Sequence, residues 1–305
     1  MFKTLTLYRF DASSNLAIEE ERLKANEFAA CGTTQAESHG WVPPRGIAHG
    51  PLLENVGGEY LLRLRSERRN VPGDAIKHEL DKLADKIEGE TGRRPKGKHL
   101  KELKEQVTHE LMPRAFSKFS ETVIWISPEH RFVVVGTTGA AADRIVTAVS
   151  EALSLRLDMV QTQSSAATMM AHWLQDVPPT KFTVDRECKL AQPDSEKSKV
   201  AYSRHNLDRA EIGEHLREGK QVESLALTWD SRVSFVLTER LQIRSMKLLD
   251  VVLEGKEKSG KADNGFDADV AITTGELAKM LPDLIEAMGG FLVLKQPALE
   301  LEPVA

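Results

Sequence analysis

Two charged amphipathic segments joined by a Lys- and Arg-rich loop, between Val71 and Leu111, constrain the fold of this chain more than any other stretch. In the first, Ile76, Leu80, Leu83 and Ile87 recur at spacings of four, three and four; in the second, Leu100, Leu103, Val107 and Leu111 recur at three, four and four. One narrow apolar stripe on an otherwise charged helix buries that helix against a single partner. The spacing predicts an antiparallel helix pair closed by a loop from Gly89 to Lys98 and protruding as an arm. Pro72 suits a first helical turn and Gly89 a stop. The first helix would then be about 27 Å long, at 1.5 Å per residue.

Around the arm the pattern mixes periods of two and 3.6. Strands are expected over 2–10, 59–65, 116–126, 132–136 and 181–190, and a three-stranded meander over 221–229, 232–238 and 242–249. Helices are expected over 15–30, 140–153, 165–174 and 209–217. Gly40-Trp41-Val42-Pro43-Pro44-Arg45-Gly46 reads as a rigid loop and Gly255 to Gly265 as a polar one. Thr273-Thr274-Gly275-Glu276 has the spacing of a capping box that would open a last helix, bent at Pro282 and ended by Gly289-Gly290. The tail from Pro297 is expected to fray. Interspersed helices and hairpins predict an α+β class, with mixed or antiparallel sheets flanked by helices. The expected division is an α+β base from 1–70 and 113–175, the arm from 71–112, and a second α+β region from 176–305.

The chain has 305 residues and a net charge of −5, so a uniformly basic nucleic-acid coat is excluded. A local basic surface on an acidic body is not, because the field at a concave site depends on nearby charges. Cys31 and Cys188 are the only cysteines. Two isolated thiols supply neither a zinc site nor a disulfide framework, and they fit a reducing cytoplasm. No apolar run approaches the roughly 20 residues of a membrane span, and the first ten residues alternate like a strand, unlike a signal peptide.

Several motifs could carry chemistry. Gly92-Arg93-Arg94-Pro95-Lys96-Gly97-Lys98-His99 approaches a phosphate-binding loop, but His99 stands where a magnesium-binding hydroxyl is needed, and a helix precedes it where a buried strand is required. Its charge is the more telling feature: from Gly92 to Lys104 six basic residues face only Glu102, a local +5 suited to displacing counterions from a nucleic-acid backbone. Solubilisation alone would call for the same charge. Asp263, Asp267 and Asp269 are out of register for a calcium loop. A magnesium pair at Asp267 and Asp269 is conceivable if the two alternate on a strand, although a turn leading into the last helix accounts for them more simply. No HExxH, nucleophile elbow or dinucleotide loop is present. No catalytic residue, metal ligand or cofactor is assigned. Lys220, Arg232, Arg240, Arg244 and Lys247 decorate the meander, and no base-reading motif is present, so any DNA contact is expected to be to the backbone.

Cys31-Gly32, Gly40-Trp41-Val42-Pro43-Pro44, Leu111-Met112-Pro113-Arg114-Ala115-Phe116-Ser117-Lys118-Phe119-Ser120, Phe266-Asp267-Ala268-Asp269 and Thr274-Gly275-Glu276-Leu277 together resemble the recombination-associated protein RdgC family. Their order and spacing span nearly the whole chain; Asp176 to Tyr202 is less familiar, and Met112 stands where the family usually has leucine. The resemblance implies a cytoplasmic, nucleoid-associated, non-enzymatic protein. It would bind double-stranded DNA with little sequence preference, close as a ring-shaped homodimer of horseshoe-like subunits, and restrain RecA-mediated recombination. It also implies roles for individual residues. Phe116, with Arg114 and Phe119, becomes a dimer contact. Arg93, Arg94, Lys96 and Lys98 become phosphate or arm-closing contacts, and Arg204, His205 and Lys220 face the DNA channel or the closing contact. Two other readings of the residues stay open: a nucleotide- or magnesium-dependent hydrolase, and a protein–protein scaffold that does not bind DNA.

Overall fold

In the computed structural model, residues 1–11, 16, 18–193, 198–254 and 262–292 are described. The first part of the chain forms β1 (Thr6–Phe10), α1 (Glu20–Ala25), β2 (Glu37–Val42), β3 (Glu54–Val56), β4 (Glu59–Arg69), α2 (Gly73–Thr91), α3 (Lys98–Leu111) and β5 (Ser117–Ser127). It continues with β6 (Phe132–Val135), α4 (Ala140–Leu153), β7 (Leu157–Met159), α5 (Ala166–Gln175), β8 (Phe182–Ala191), β9 (Lys199–Ser203) and α6 (Arg209–Arg217). The meander β10 (Gln221–Trp229), β11 (Val233–Thr238) and β12 (Ile243–Leu248) follows, then α7 (Asp250–Leu253) and α8 (Ala262–Ala287). The class is α+β with antiparallel sheets, as the mixed periodicity implies. Two compact units result: Met1–Ala17 with Asn55–Leu61 and Ile124–Ala305, and Ile18–Glu54 with Leu62–Val123.

In the smaller unit β4 lies between β2 and β5. Alternation along β4 buries Leu62 and Leu64 and turns Arg63 and Arg65 outward, where both meet Glu121 at 3.3 and 2.6 Å. Glu67 also belongs to β4, yet it is only 2% exposed. It accepts the Cys31 backbone N–H at 2.8 Å and the Ser117 hydroxyl. Those two donors, the Ser117 hydroxyl foremost, hold its carboxyl below the usual carboxylate range. The polar cluster ties β5 and the Cys31 loop to one strand. Leaving such a group buried without its donors would be costly.

The larger unit holds two sheets. In one, β1 pairs with β6 and β7, and the second half of β5 pairs with β6. Ile124, Trp125, Ile126 and Val133 to Val135 are each 0% exposed, the continuous apolar run of strands covered on both faces. The other sheet has the order β12-β11-β10-β8-β9, and α5 packs on β10 and β11. Leu5 and Ile243 exchange backbone hydrogen bonds of 2.8 and 3.0 Å, joining the first sheet's leading strand to the second sheet. Helix α8 buries Leu277, Leu281, Leu284 and Ile285. It is fastened by Glu276, which accepts two bonds of 2.7 Å from Arg232, and by Asp283, which accepts the Trp229 indole N–H at 2.8 Å.

Four local expectations are corrected. The helix expected over 15–30 is confined to Glu20–Ala25. Beyond it, the Asn26 carbonyl accepts Trp41 N–H and the Trp41 carbonyl accepts Phe28 N–H, so a neighbouring strand recruits the chain. The expected loop at Gly40 to Gly46 begins as the end of β2, with Trp41 1% exposed, and turns only at Pro43. The capping box at Thr273 to Glu276 does not open a helix, because α8 already runs from Ala262. Thr274 instead donates to the Val270 carbonyl one turn back, at 2.9 Å, and Glu276 is taken by Arg232. Helix α2 continues past Gly89 and stops at Gly92, whose φ of 71° supplies the left-handed residue that ends it. Of the polar loop expected at 255–265, residues 255–261 lie outside the described residues, as does the tail from Pro297.

Both cysteines are free and buried. Burial pushes the Cys188 thiol up to about 12, and burial next to Glu67 raises that of Cys31. Only the thiolate reacts, so labelling of Cys188 at pH 8 should be on the order of a thousandfold slower in the native protein than in guanidinium. Timed alkylation with mass detection checks this; rapid native labelling would mean that β8 and β10 part readily.

Candidate nucleic-acid interface

Helices α2 and α3 pack on each other as the two stripes require. Ala84, Leu103 and Val107 are buried, while Leu100 stays 37% exposed beside Ile76 and Leu80 at a groove of about 540 Å³. The basic loop between the helices turns back over the acidic face of α2. Arg94 reaches Asp85, Glu88 at 3.3 Å and Asp81 at 3.5 Å, and Pro95 is buried beneath the turn. The hydrogen bond and charge of Asp85 dominate in raising the Arg94 pKa. Lys98 lies 3.8 Å from Glu102. Among the described residues Lys77 and Lys86 on α2, Arg93 and Lys96 in the loop, and Lys101 and Lys104 on α3 make no ion pair.

After α3 a single 3-10 turn, Met112–Arg114, carries the chain into β5. Its base is anchored three ways: Met112 is buried, the Ser117 hydroxyl donates to Glu67, and the Phe119 ring meets Phe28 edge-on at 6.4 Å. Between these anchors Phe116 is 91% exposed and Phe119 56% exposed. Arg114 is exposed beside them. A phenylalanine ring this exposed is apolar surface that its own fold leaves uncovered.

In the larger unit Arg204 follows β9 in the left-handed region, φ 54°. It lines a depression of about 260 Å³ with Arg186 from β8 and Lys247 from β12, near Asp185 and Glu187. His205 turns its Nδ1 to the Asn206 carbonyl at 2.7 Å. Lys220 is placed differently. Its side chain is 10% exposed, its Nζ is 2.7 Å from Glu218, and it also meets His215 at 3.2 Å. Lys220, with His215 adding to it, holds the Glu218 carboxyl below its usual range. Arg186 escaped the reading of the sequence because Asp185 and Glu187 flank it; only strand register brings it to Arg204 and Lys247.

The two enzymatic arrangements considered from the sequence are not assembled. Asp267 and Asp269 lie on α8 and not on a strand. Two helical positions apart is a rotation of roughly 200°, so their carboxylates leave different faces. Gly92 to Lys98 joins two helices. Among the described residues no group of three or more His, Cys, Asp or Glu is placed to hold a metal ion. No helix of the described residues is long and apolar enough to cross a membrane.

Fold and surface thus define an α+β protein whose unusual features are an exposed aromatic turn and cations left without partners. The chain belongs to the RdgC family: the model described as "Putative exonuclease, RdgC" matches residues 1–291. Its relatives include Recombination-associated protein RdgC of Dechloromonas aromatica (strain RCB), 40% identical over 301 residues that cover 96% of this chain and 98% of the relative. The protein of the same name from Herminiimonas arsenicoxydans is 37% identical over 295 residues, covering 95% and 98%. That from Bordetella parapertussis is 34% identical over the same length and shares. The resemblance carried by the Met112 to Phe116 segment and its companion motifs is borne out.

Proposed function

We propose that this chain is a non-enzymatic protein that binds double-stranded DNA without regard to sequence and closes around it as a homodimer. By occupying duplex at the nucleoid in the cytoplasm, it limits RecA-mediated recombination. The observation that carries the reading is the set of cations without ion pairs on the α2–α3 hairpin, Lys77, Lys86, Arg93, Lys96, Lys101 and Lys104, those from Arg93 onward clustered at the loop and α3, in a sequence with no base-reading motif. Cations without internal partners gain most from a phosphate backbone, because binding releases counterions at no cost in broken ion pairs. A twofold dimer doubles each such patch around its axis. A positive interior then coexists with a net charge of −5 per chain. The relatives' name, recombination-associated protein, agrees with this role.

Within this proposal Arg93 and Lys96 contact phosphates directly. Arg94 and Lys98 shape the loop and contribute less, since α2 and Glu102 already hold them. Arg204 and His205, with Arg186 and Lys247, form a second phosphate contact, and Lys220 reaches a phosphate only by giving up Glu218.

The test is affinity for unrelated duplexes across salt concentrations. Each phosphate contact adds about 0.9 to the slope of log K against log salt, so replacing Arg93 and Lys96 together with alanine should lower the slope by nearly two. Arg94→Ala should change it less. Equal slopes for the double variant and the parent, or strong preference for one sequence, would defeat the assignment. The family's description names an exonuclease, so the same duplexes are incubated with Mg²⁺. The binder reading requires them to return intact, and progressive shortening by the purified protein would replace it with a nuclease.

A further inference from the structure

Strand β7 is the last strand on its side of the sheet that holds β1, and among the described residues β1 is its one neighbour there. Val160 N–H donates to the Leu7 carbonyl at 3.1 Å. Backbone groups alternate in direction along an antiparallel strand, so Leu157 and Met159 turn their N–H and C=O groups away from β1. Gln161 and Gln163 share that outer edge, and the chain returns to it after α8. Leu292 N–H donates to the Gln161 carbonyl at 2.9 Å and Gln163 N–H to the Gly290 carbonyl at 3.1 Å, with Thr162 opposite Phe291 in an antiparallel bridge.

The described residues end at Leu292, while the sequence continues to Ala305. Carried past Leu292, the register of Thr162 and Phe291 would set Val293 against Val160, Leu294 against Met159, Lys295 against Asp158 and Gln296 against Leu157. Two of these matches meet a need of the edge. Met159 is 45% exposed and Leu292 40% exposed, and both line one concavity of about 650 Å³. A leucine opposite Met159 and two residues after Leu292 would cover both. Asp158 is exposed, with the exposed Arg156 3.4 Å away, and a lysine directly opposite makes a favourable cross-strand charge pair. The same register would turn the backbone of Lys295 and Pro297 outward, and these are residue types that blunt a sheet edge against further pairing.

We propose that the outer edge of β7 is a docking site for this chain's own C-terminal segment: residues 293–296 add to it as one more antiparallel strand, with Leu294 against Met159 and Lys295 against Asp158, and cover the mouth of the concavity. The occupant comes from the same chain because Leu292 is already hydrogen-bonded on that edge and Val293 follows it with no intervening loop, so there is almost no closure entropy to overcome. An open strand edge is a template for pairing with other chains, and the added strand withholds β7 from them. The site does not depend on the proposed duplex binding.

Hydrogen exchange of the full chain, read by mass spectrometry, is compared with that of a variant ending at Leu292. The Leu294 and Gln296 amides, which would donate to Met159 and Leu157, should exchange roughly tenfold or more slowly than in an unstructured peptide of the same sequence. Removing the segment should speed exchange at Met159 and its oxidation by hydrogen peroxide. Lys295→Asp sets like charges opposite each other and should cut the protection of residues 293–296 roughly fivefold, and Asp158→Lys in the same chain should restore it. A segment that merely lay against the surface would not respond to that exchange of charges. Exchange of residues 293–296 at the peptide's rate overturns the proposal, as does a Met159 indifferent to the truncation or a Lys295→Asp loss that Asp158→Lys leaves unrepaired. Protection that fades on dilution would assign the strand to a second copy and equally overturn closure within one chain.

Discussion

Replacing Gly40 with alanine will lower the melting temperature by roughly 10 °C, while the same replacement at Gly89 will raise it slightly. At Gly40 an added Cβ would sit 2.5 Å from the Phe28 Cα, 2.6 Å from its nitrogen and 2.8 Å from the Glu27 carbonyl carbon. All three are backbone atoms, so no side chain can swing aside. The segment from Asn26 to Phe28 must move off β2, and with it go two hydrogen bonds, Trp41 N–H to Asn26 at 2.9 Å and Phe28 N–H to Trp41 at 3.0 Å. Overpacking costs about 1–3 kcal/mol and each lost bond about 1, giving about 4 kcal/mol. At Gly89 an added Cβ meets nothing within 4 Å, and the residue lies inside α2. Alanine there should gain about 0.5–1 kcal/mol from helix propensity. Paired thermal melts decide the matter. A Gly40→Ala variant as stable as the parent would mean that β2 and the segment after α1 are not in contact.

Gly40 also marks a limit on what could be read from the sequence. It looked like a loop glycine beside two prolines, but its role is close approach of two backbones, and the partner at Phe28 is twelve residues away with no local signal. The elements that were legible share a local cause. Helix α4 and the meander β10 to β12 carry their own periodicity, Gly219 stops the segment after α6, and Ser165 and Asp208 cap α5 and α6 through their side chains. Strands β2, β3, β7 and β9 went unread because each is defined by its partner: β2 and β3 by pairing with β4, β9 by pairing with β8, β7 by its three rungs on β1. Helix α1 was cut short for the same reason. The site divides likewise. The hairpin and the aromatic turn lie within one contiguous stretch and were legible. Which cations stay unpaired was not, since Arg94 is held by Asp81 and Asp85, thirteen and nine residues earlier. The depression lined by Arg186, Arg204 and Lys247 needs three strands in register before it exists.

Phe116 carries the proposed closure of the dimer, and its replacement with aspartate is expected to weaken self-association on the order of a hundredfold while leaving the fold intact. The ring is 91% exposed, so its loss removes almost no internal packing, and changes at such positions usually stay within about 0.5 kcal/mol. Phe119 is a poorer probe, because its ring is partly spent on Phe28. A hot-spot aromatic pressed into an apolar site contributes about 2 kcal/mol or more, and a carboxylate in its place adds a desolvation cost. Under the proposed closure, the groove along Ile76, Leu80 and Leu100, edged by Lys77, Lys101 and Lys104, would receive such a ring from a second copy. Sedimentation at micromolar protein should therefore show the parent as a dimer and Phe116→Asp as a monomer with an unchanged melting temperature. DNA binding should follow. If both protomers grip one duplex, the monomer makes half the phosphate contacts, so its salt slope falls to about half and the avidity of the linked pair is lost. A Phe116→Asp protein that remains dimeric would remove Phe116 from the interface. A monomeric one that holds duplex DNA as tightly as the parent would remove closure around DNA from the mechanism and leave the cations of the α2–α3 hairpin acting one protomer at a time.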